Sequence, residues 1–72
     1  MKKTFRMEDL DCANCAAKME REIAELPGVN KVTVSFMAQK LILDAEDDSF
    51  DEILKQAVKC VKKVDADCEV LL

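Results

Sequence analysis

Lys31-Val32-Thr33-Val34-Ser35-Phe36 and, after Met37-Ala38-Gln39, Lys40-Leu41-Ile42-Leu43 form the stretch on which the fold turns. Val32, Val34 and Phe36 alternate with Lys31, Thr33 and Ser35, and the second run alternates again. A period of two places successive side chains on opposite faces of a strand. Two such runs joined by a few residues predict an antiparallel hairpin with a short connection. The sheet it belongs to depends on what flanks it.

Downstream, Phe50, Ile53, Leu54, Ala57, Val58 and Val61 recur at the spacing of one helix face, and Ser49 followed at the third position by Glu52 reads as a capping box. This predicts a helix over about 50–63. Upstream, Ala16, Met19, Ile23 and Leu26 have helical spacing, with Lys18, Glu20, Arg21, Glu22 and Glu25 on the other faces, and Pro27-Gly28 stops the run. This predicts a helix over about 14–26. Beyond the helices, Phe5 and Met7 alternate with Thr4, Arg6 and Glu8 in a strand over about 3–8. Cys68, Val70 and Leu72 alternate with Glu69 and Leu71 in a closing strand. The order is β-α-β-β-α-β, an α+β chain in which two helices cover one face of a four-stranded antiparallel sheet. Residues 1–72 read as a single domain without internal repeat.

With 72 residues, half of them apolar, the chain can build one thin core. The charge is -4, from 11 basic and 15 acidic residues, and no Lys/Arg cluster is interleaved with aromatics, so nucleic acid is not an expected partner. No run reaches the ~20 apolar residues that span a bilayer, and Met1-Lys2-Lys3-Thr4-Phe5-Arg6 alternates rather than opening a signal peptide. The expectation is a monomeric cytoplasmic domain with no direct membrane insertion. Four cysteines in a short chain can staple a secreted scaffold, but here the secretory context is missing and the apolar content suffices for a core. Reduced thiols available to a metal are the better reading.

Two of those thiols lie in Leu10-Asp11-Cys12-Ala13-Asn14-Cys15, between the first strand and the first helix. Cysteines separated by two residues at a helix start can aim both sulfurs at one point, and thiolates are the ligands taken by Zn(II), Cd(II), Pb(II) and Cu(I). The dipole and free N–H groups of the helix end favour the deprotonated form. The same motif also serves thiol–disulfide oxidoreductases. Against that use, the aromatic-Cys-Gly-Pro-Cys context is absent and the element order is not thioredoxin-like.

Asp11-Cys12-Ala13-Asn14-Cys15-Ala16-Ala17-Lys18-Met19-Glu20, with Leu26-Pro27-Gly28-Val29 and Val32-Thr33-Val34-Ser35-Phe36, resembles the heavy-metal-associated domain. The similarity covers essentially the whole chain and is greatest to the amino-terminal domain of zinc-, cadmium- and lead-exporting P-type ATPases. The resemblance implies a ferredoxin-like βαββαβ sandwich whose metal ligands are Cys12 and Cys15. It also implies a role within a pump or as a free metallochaperone. The copper branch typically reads Gly-Met-Thr/His before its first cysteine and Gly-Tyr/Phe after the second helix. Here Asp9-Leu10-Asp11 and Lys63-Val64 stand instead, which weakens a copper assignment.

Asp11 bears on the choice of ion. Two thiolates and a carboxylate leave one net negative charge around a divalent ion but two around a monovalent one, and Zn(II) accepts a hard oxygen donor that near-linear Cu(I) does not need. Asp11 is read as a third ligand, against the alternative that it solvates the loop or caps the helix. Asp65, after the second helix, would approach the metal loop in this fold, and related exporter domains often carry an acid there. A solvated loop acid is the ordinary alternative.

Cys60 and Cys68 do not have the spacing of a zinc knuckle. Cys68 shares a face with Val70 and Leu72 and reads as core, and Cys60 borders the apolar stripe of the second helix. Met7 and Met19 fall on apolar faces and read as core rather than as copper thioethers, while Met37 is uninformative. The expected cargo is one soft divalent ion, Zn, Cd or Pb, exchanged with a metal-transfer partner or with the rest of a membrane transporter. A free-standing metallochaperone, including one for Cu(I), is the alternative. ATP-driven transport would belong to other parts of such a pump, since nothing here supplies a phosphate-binding loop or a phosphorylatable Asp motif.

Overall fold

The computed structural model describes residues 1–72. Strand β1 covers Lys2–Glu8 and helix α1 covers Ala13–Ala24. The hairpin strands are β2, Val29–Ser35, and β3, Lys40–Ala45. Helix α2, Phe50–Val64, and strand β4, Glu69–Leu71, complete the chain. The sheet order is β2-β3-β1-β4, and every pairing is antiparallel. This is the element order expected from the patterning and the ferredoxin-like βαββαβ sandwich that the resemblance implies.

Register explains which face is covered. Val32 lies opposite Leu43, Val34 opposite Leu41, Leu41 opposite Phe5, and Met7 opposite Val70. Residues directly opposite share a face. Met7, Val32, Val34, Leu41 and Leu43 are buried there with Ala16, Met19 and Ile23 of α1 and Phe50, Ile53, Ala57 and Val61 of α2. Thr4, Arg6, Lys31 and Lys40 of the opposite face are exposed. Met7 and Met19 are therefore core, as their spacing indicated. Strand β2 is an edge, and the Glu20 carboxylate of α1 accepts the Val34 N–H at 2.9 Å, which ties helix to edge and leaves one fewer open donor.

Three local expectations are corrected. The capping box at Ser49 does not form. A 3-10 turn over Asp47–Ser49 leads into α2, the Phe50 N–H bonds the Asp47 carbonyl, and the Ser49 side chain makes no cap bond. The acids Asp47, Asp48, Asp51 and Glu52 supply favourable charge at that helix end instead. Helix α1 stops at Ala24, two residues short of the predicted end, because the Glu25 and Leu26 N–H groups turn back to the carbonyls of Glu22 and Ile23 in tighter, three-residue bonds. Leu72 does not join the core face of the closing strand. Strand β4 pairs with β1 only through Leu71, and Leu72 is 81% exposed.

Gly28, after α1, has φ +90, and a Cβ there would come within 2.7 Å of Ile53 Cδ1. The backbone conformation requires glycine at this turn, and a side chain there would also displace the end of Ile53.

Candidate metal centre

The loop from Glu8 to Ala13 delivers the first cysteine. Asp9 takes φ 61, a conformation that aspartate tolerates better than most residues, and the chain reverses there out of β1. Leu10 then turns its side chain into the core and is 1% exposed. Its backbone is held from the hairpin turn: the Leu10 N–H donates to Gln39 Oε1 at 3.1 Å, and Gln39 Nε2 donates to the Leu10 carbonyl. Two residues on, Cys12 is extended, with φ -134 and ψ 116, and serves as the N-cap of α1.

A sulfur in the N-cap position takes the place of the usual Ser or Asp oxygen. Cys12 Sγ accepts the Cys15 N–H at 3.2 Å, which brings the second cysteine, in the first turn, against the first. The consequences for the two thiols are opposite. Hydrogen bonding from the Cys15 thiol, then from the Cys15 and Asn14 N–H groups, lowers the Cys12 pKa below its ordinary value. Donating that bond to Cys12, then partial desolvation and the Cys12 charge, pushes Cys15 up to about 11. Of the two thiols, Cys12 therefore gives up its proton first and Cys15 keeps its own to higher pH.

The other two thiols differ. Burial, followed by the Glu22 charge, raises Cys60, which is half-buried on α2. Burial, followed by the Asp65 charge, raises Cys68, which is 0% exposed. Because the thiolate is the nucleophile, a sub-stoichiometric pulse of iodoacetamide at neutral pH should modify Cys12 first, with Cys15 and Cys60 slow and Cys68 protected until the chain unfolds. Peptide mapping by mass spectrometry reads the order. Initial labelling of Cys15 or Cys60 would contradict the cap geometry.

The residues expected at the site are not all gathered. Cys12 and Cys15 are brought together at the exposed end of α1, and no three cysteine or carboxylate side chains stand around one point. Asp11 is exposed and does not cap the helix, since Cys12 fills that role. Its carboxylate opposes the lowering of Cys12 by charge. Asp65 lies at the C-terminal end of α2, half-buried, accepts the Asp67 N–H at 3.0 Å, and acts on Cys15 by charge. Cys68 is core and Cys60 faces Glu22 across the helix pair, so neither joins Cys12 and Cys15. Met37, 89% exposed in the hairpin turn, stands apart as well. Patterning overlooked Leu10 and Gln39. An isolated leucine between two aspartates was a signal for the first, and nothing local marked the second.

A cysteine pair capping the first helix of a βαββαβ sandwich defines a class of small metal-handling domains. The chain belongs to the family of heavy-metal-associated domains, whose model matches residues 4–65. Among curated relatives it is 42% identical over 45 residues, 62% of the chain, to the zinc/cadmium/lead-transporting P-type ATPase of Escherichia coli (strain K12). It is 35% identical over 52 residues, 72% of the chain, to the probable copper-importing P-type ATPase A of Enterococcus hirae. The matched segments are 6% and 7% of those proteins, so the chain corresponds to a small part of each. Among solved structures, the CopZ metallochaperone superposes with a TM-score of 0.77 over 99% of this chain and 100% of that one, at 15% identity, a likeness of fold. No helix is long and apolar enough to cross a membrane.

Proposed function

We propose that this chain binds one soft divalent ion, Zn(II), Cd(II) or Pb(II), through the thiolates of Cys12 and Cys15, with Asp11 recruited as an oxygen ligand when the ion arrives. It does so as the cytoplasmic metal-binding segment of a metal-exporting P-type ATPase, passing the ion to the transport machinery by thiolate exchange or regulating it. The observation that carries this reading is the Cys12 sulfur in the N-cap position, 3.2 Å from the Cys15 nitrogen. It supplies two soft donors on one exposed turn, one of them biased toward thiolate.

The divalent assignment draws on Asp11 and on the similarity to the zinc/cadmium/lead transporter. Asp65 is a candidate fourth donor, since its charge already reaches Cys15. A Cu(I)-carrying chaperone is the second reading, favoured by the match to the copper-importing ATPase. Competitive titration of Zn(II), Cd(II), Pb(II) and Cu(I) under reducing conditions separates the two. The divalent ions should form one-to-one complexes, and Asp11→Ala should weaken Zn(II) and Cd(II) by about tenfold or more, the range for losing a group that supports a metal, with Cu(I) affinity unchanged. A stable stoichiometric complex with Cu(I) alone, or an equal loss for all ions in Asp11→Ala, would overturn the divalent reading.

A further inference from the structure

The turn between β2 and β3 lies beside the loop that carries Cys12. Within it Gln39 takes φ 54, an uncommon conformation for a residue with a long side chain. The backbone carbonyl of Gln39 accepts the Met7 N–H at 2.8 Å, which extends the sheet pairing to the last turn of β1. From that anchored backbone the side-chain amide makes three of its four possible hydrogen bonds. Oε1 accepts the Leu10 N–H at 3.1 Å, and Nε2 donates to the Leu10 carbonyl and to the Phe36 carbonyl, the latter at 2.9 Å. A primary amide is the one side-chain group able to satisfy an N–H and two carbonyls from a single planar head.

Leu10 is consequently fixed three ways: its N–H and its carbonyl by Gln39, its side chain by burial. Only Asp11 separates it from Cys12. Apart from the burial of the Leu10 side chain, the segment from Leu10 to Cys12 has little else to hold it, because Asp11 is exposed and the helix begins after Cys12. The Gln39 side chain makes no hydrogen bond to either cysteine, and none of its bonds closes a helix or completes a strand ladder. Its effect falls on the path by which the chain enters the metal loop.

We propose that Gln39 is a positioning residue for the metal site. By holding both backbone polar groups of Leu10 it sets the direction of the chain into Cys12 before any ion binds. The proposal rests on the metal-binding role of Cys12 and Cys15. Without the clamp, the torsions around Leu10 and Asp11 are ordered at the expense of binding, and releasing one residue's backbone corresponds to about a tenfold loss of affinity.

The test compares the wild-type chain with Gln39→Met, which keeps length and removes every polar atom. Gln39→Glu, which keeps an acceptor for the Leu10 N–H but offers no donor to the two carbonyls, is the second variant. Ile53→Val, a core change at the opposite end of the fold beside Gly28, is the stability control. Each is titrated with Cd(II), unfolded in urea and followed by amide hydrogen exchange. Gln39→Met should speed exchange at Leu10, leave exchange along α1 at the wild-type rate, and weaken Cd(II) binding about tenfold. Ile53→Val should lower the unfolding midpoint with Cd(II) affinity unchanged. If Gln39→Met does not fold, Gln39→Glu, which frees the Leu10 carbonyl but keeps its N–H bonded, is read by Cd(II) affinity alone, and wild-type affinity in it overturns the proposal.

Wild-type Cd(II) affinity in a folded Gln39 variant whose Leu10 amide has been freed would overturn the proposal. So would a loss of affinity in Ile53→Val equal to that in Gln39→Met. A wild-type chain that shows no cysteine-dependent Cd(II) binding would instead remove the metal-binding role itself, and that result is seen before any Gln39 variant is made.

Discussion

Cys15→Ser should abolish stoichiometric Cd(II) binding and leave the fold intact. Losing a group that merely supports a ligand costs about 10–100-fold in metal affinity, and removing one of two thiolates should exceed the top of that range. The backbone N–H of residue 15 still bonds the Cys12 sulfur in the variant, so the cap of α1 survives. The helix should melt with the wild type. Cys12→Ser makes the complementary case. It deletes the other sulfur at the N-cap position, but serine is a favoured N-cap, so the helix should be at least as stable while binding is lost. Thiolate-to-Cd(II) charge-transfer absorption reads binding and far-UV circular dichroism reads the fold. Cys15→Ser with near-wild-type affinity would mean that the ion is held elsewhere. The pH dependence follows from the same pair. The ion must displace the proton that Cys15 holds up to about 11, so binding tightens as pH rises. Below the lowered pKa of Cys12 two protons leave per ion, and between that value and about 11 only one leaves, halving the slope of log affinity against pH.

The sheet and its two helices were legible because their signals are periodic and reinforce one another. Val32, Val34, Leu41 and Leu43 had to share a face whatever their partners, and Ile53, Ala57 and Val61 had to face them. The cysteine pair was legible for a similar reason: a two-residue spacing at a helix start is local geometry. What escaped was non-local or competitive. Ser49 had the residues for a capping box, but the 3-10 turn before it left its side chain without a cap bond. Leu72 continued an alternation that ended with the pairing to β1. Gln39 reaches Leu10 across 29 residues of sequence, through a hydrogen bond that no periodicity announces. Charge balance alone singles out Asp11, and in the structure its side chain is exposed and forms no cluster with the two cysteines.

Leu10→Ala should strike the core and the metal loop together. Leu10 is 1% exposed. Truncating a buried leucine to alanine costs about 2–5 kcal/mol, the spread depending on how far the surroundings collapse. Collapse is restricted here, since the Leu10 backbone is tied to Gln39 and cannot sink into the space left behind. Against a total stability at the lower end of about 5–15 kcal/mol for a chain of this size, the variant should sit near its unfolding transition. Urea denaturation of the metal-free protein should show the midpoint falling with the slope unchanged, because the same surface is exposed on unfolding. Leu72→Ala, at a position 81% exposed, should change stability by less than about 0.5 kcal/mol and serves as the comparison. Metal links the two roles of Leu10. An ion that binds the folded chain at about 100 times its Kd returns about 2.7 kcal/mol, reduced by whatever affinity the cysteine pair keeps in the unfolded chain. Cd(II) should therefore recover roughly half or more of the loss in Leu10→Ala and none of it in Leu10→Ala combined with Cys15→Ser. Equal recovery in the double variant would separate the stabilising ion from Cys12 and Cys15. Its absence would tie the folding of the Leu10 loop to the occupancy of that pair.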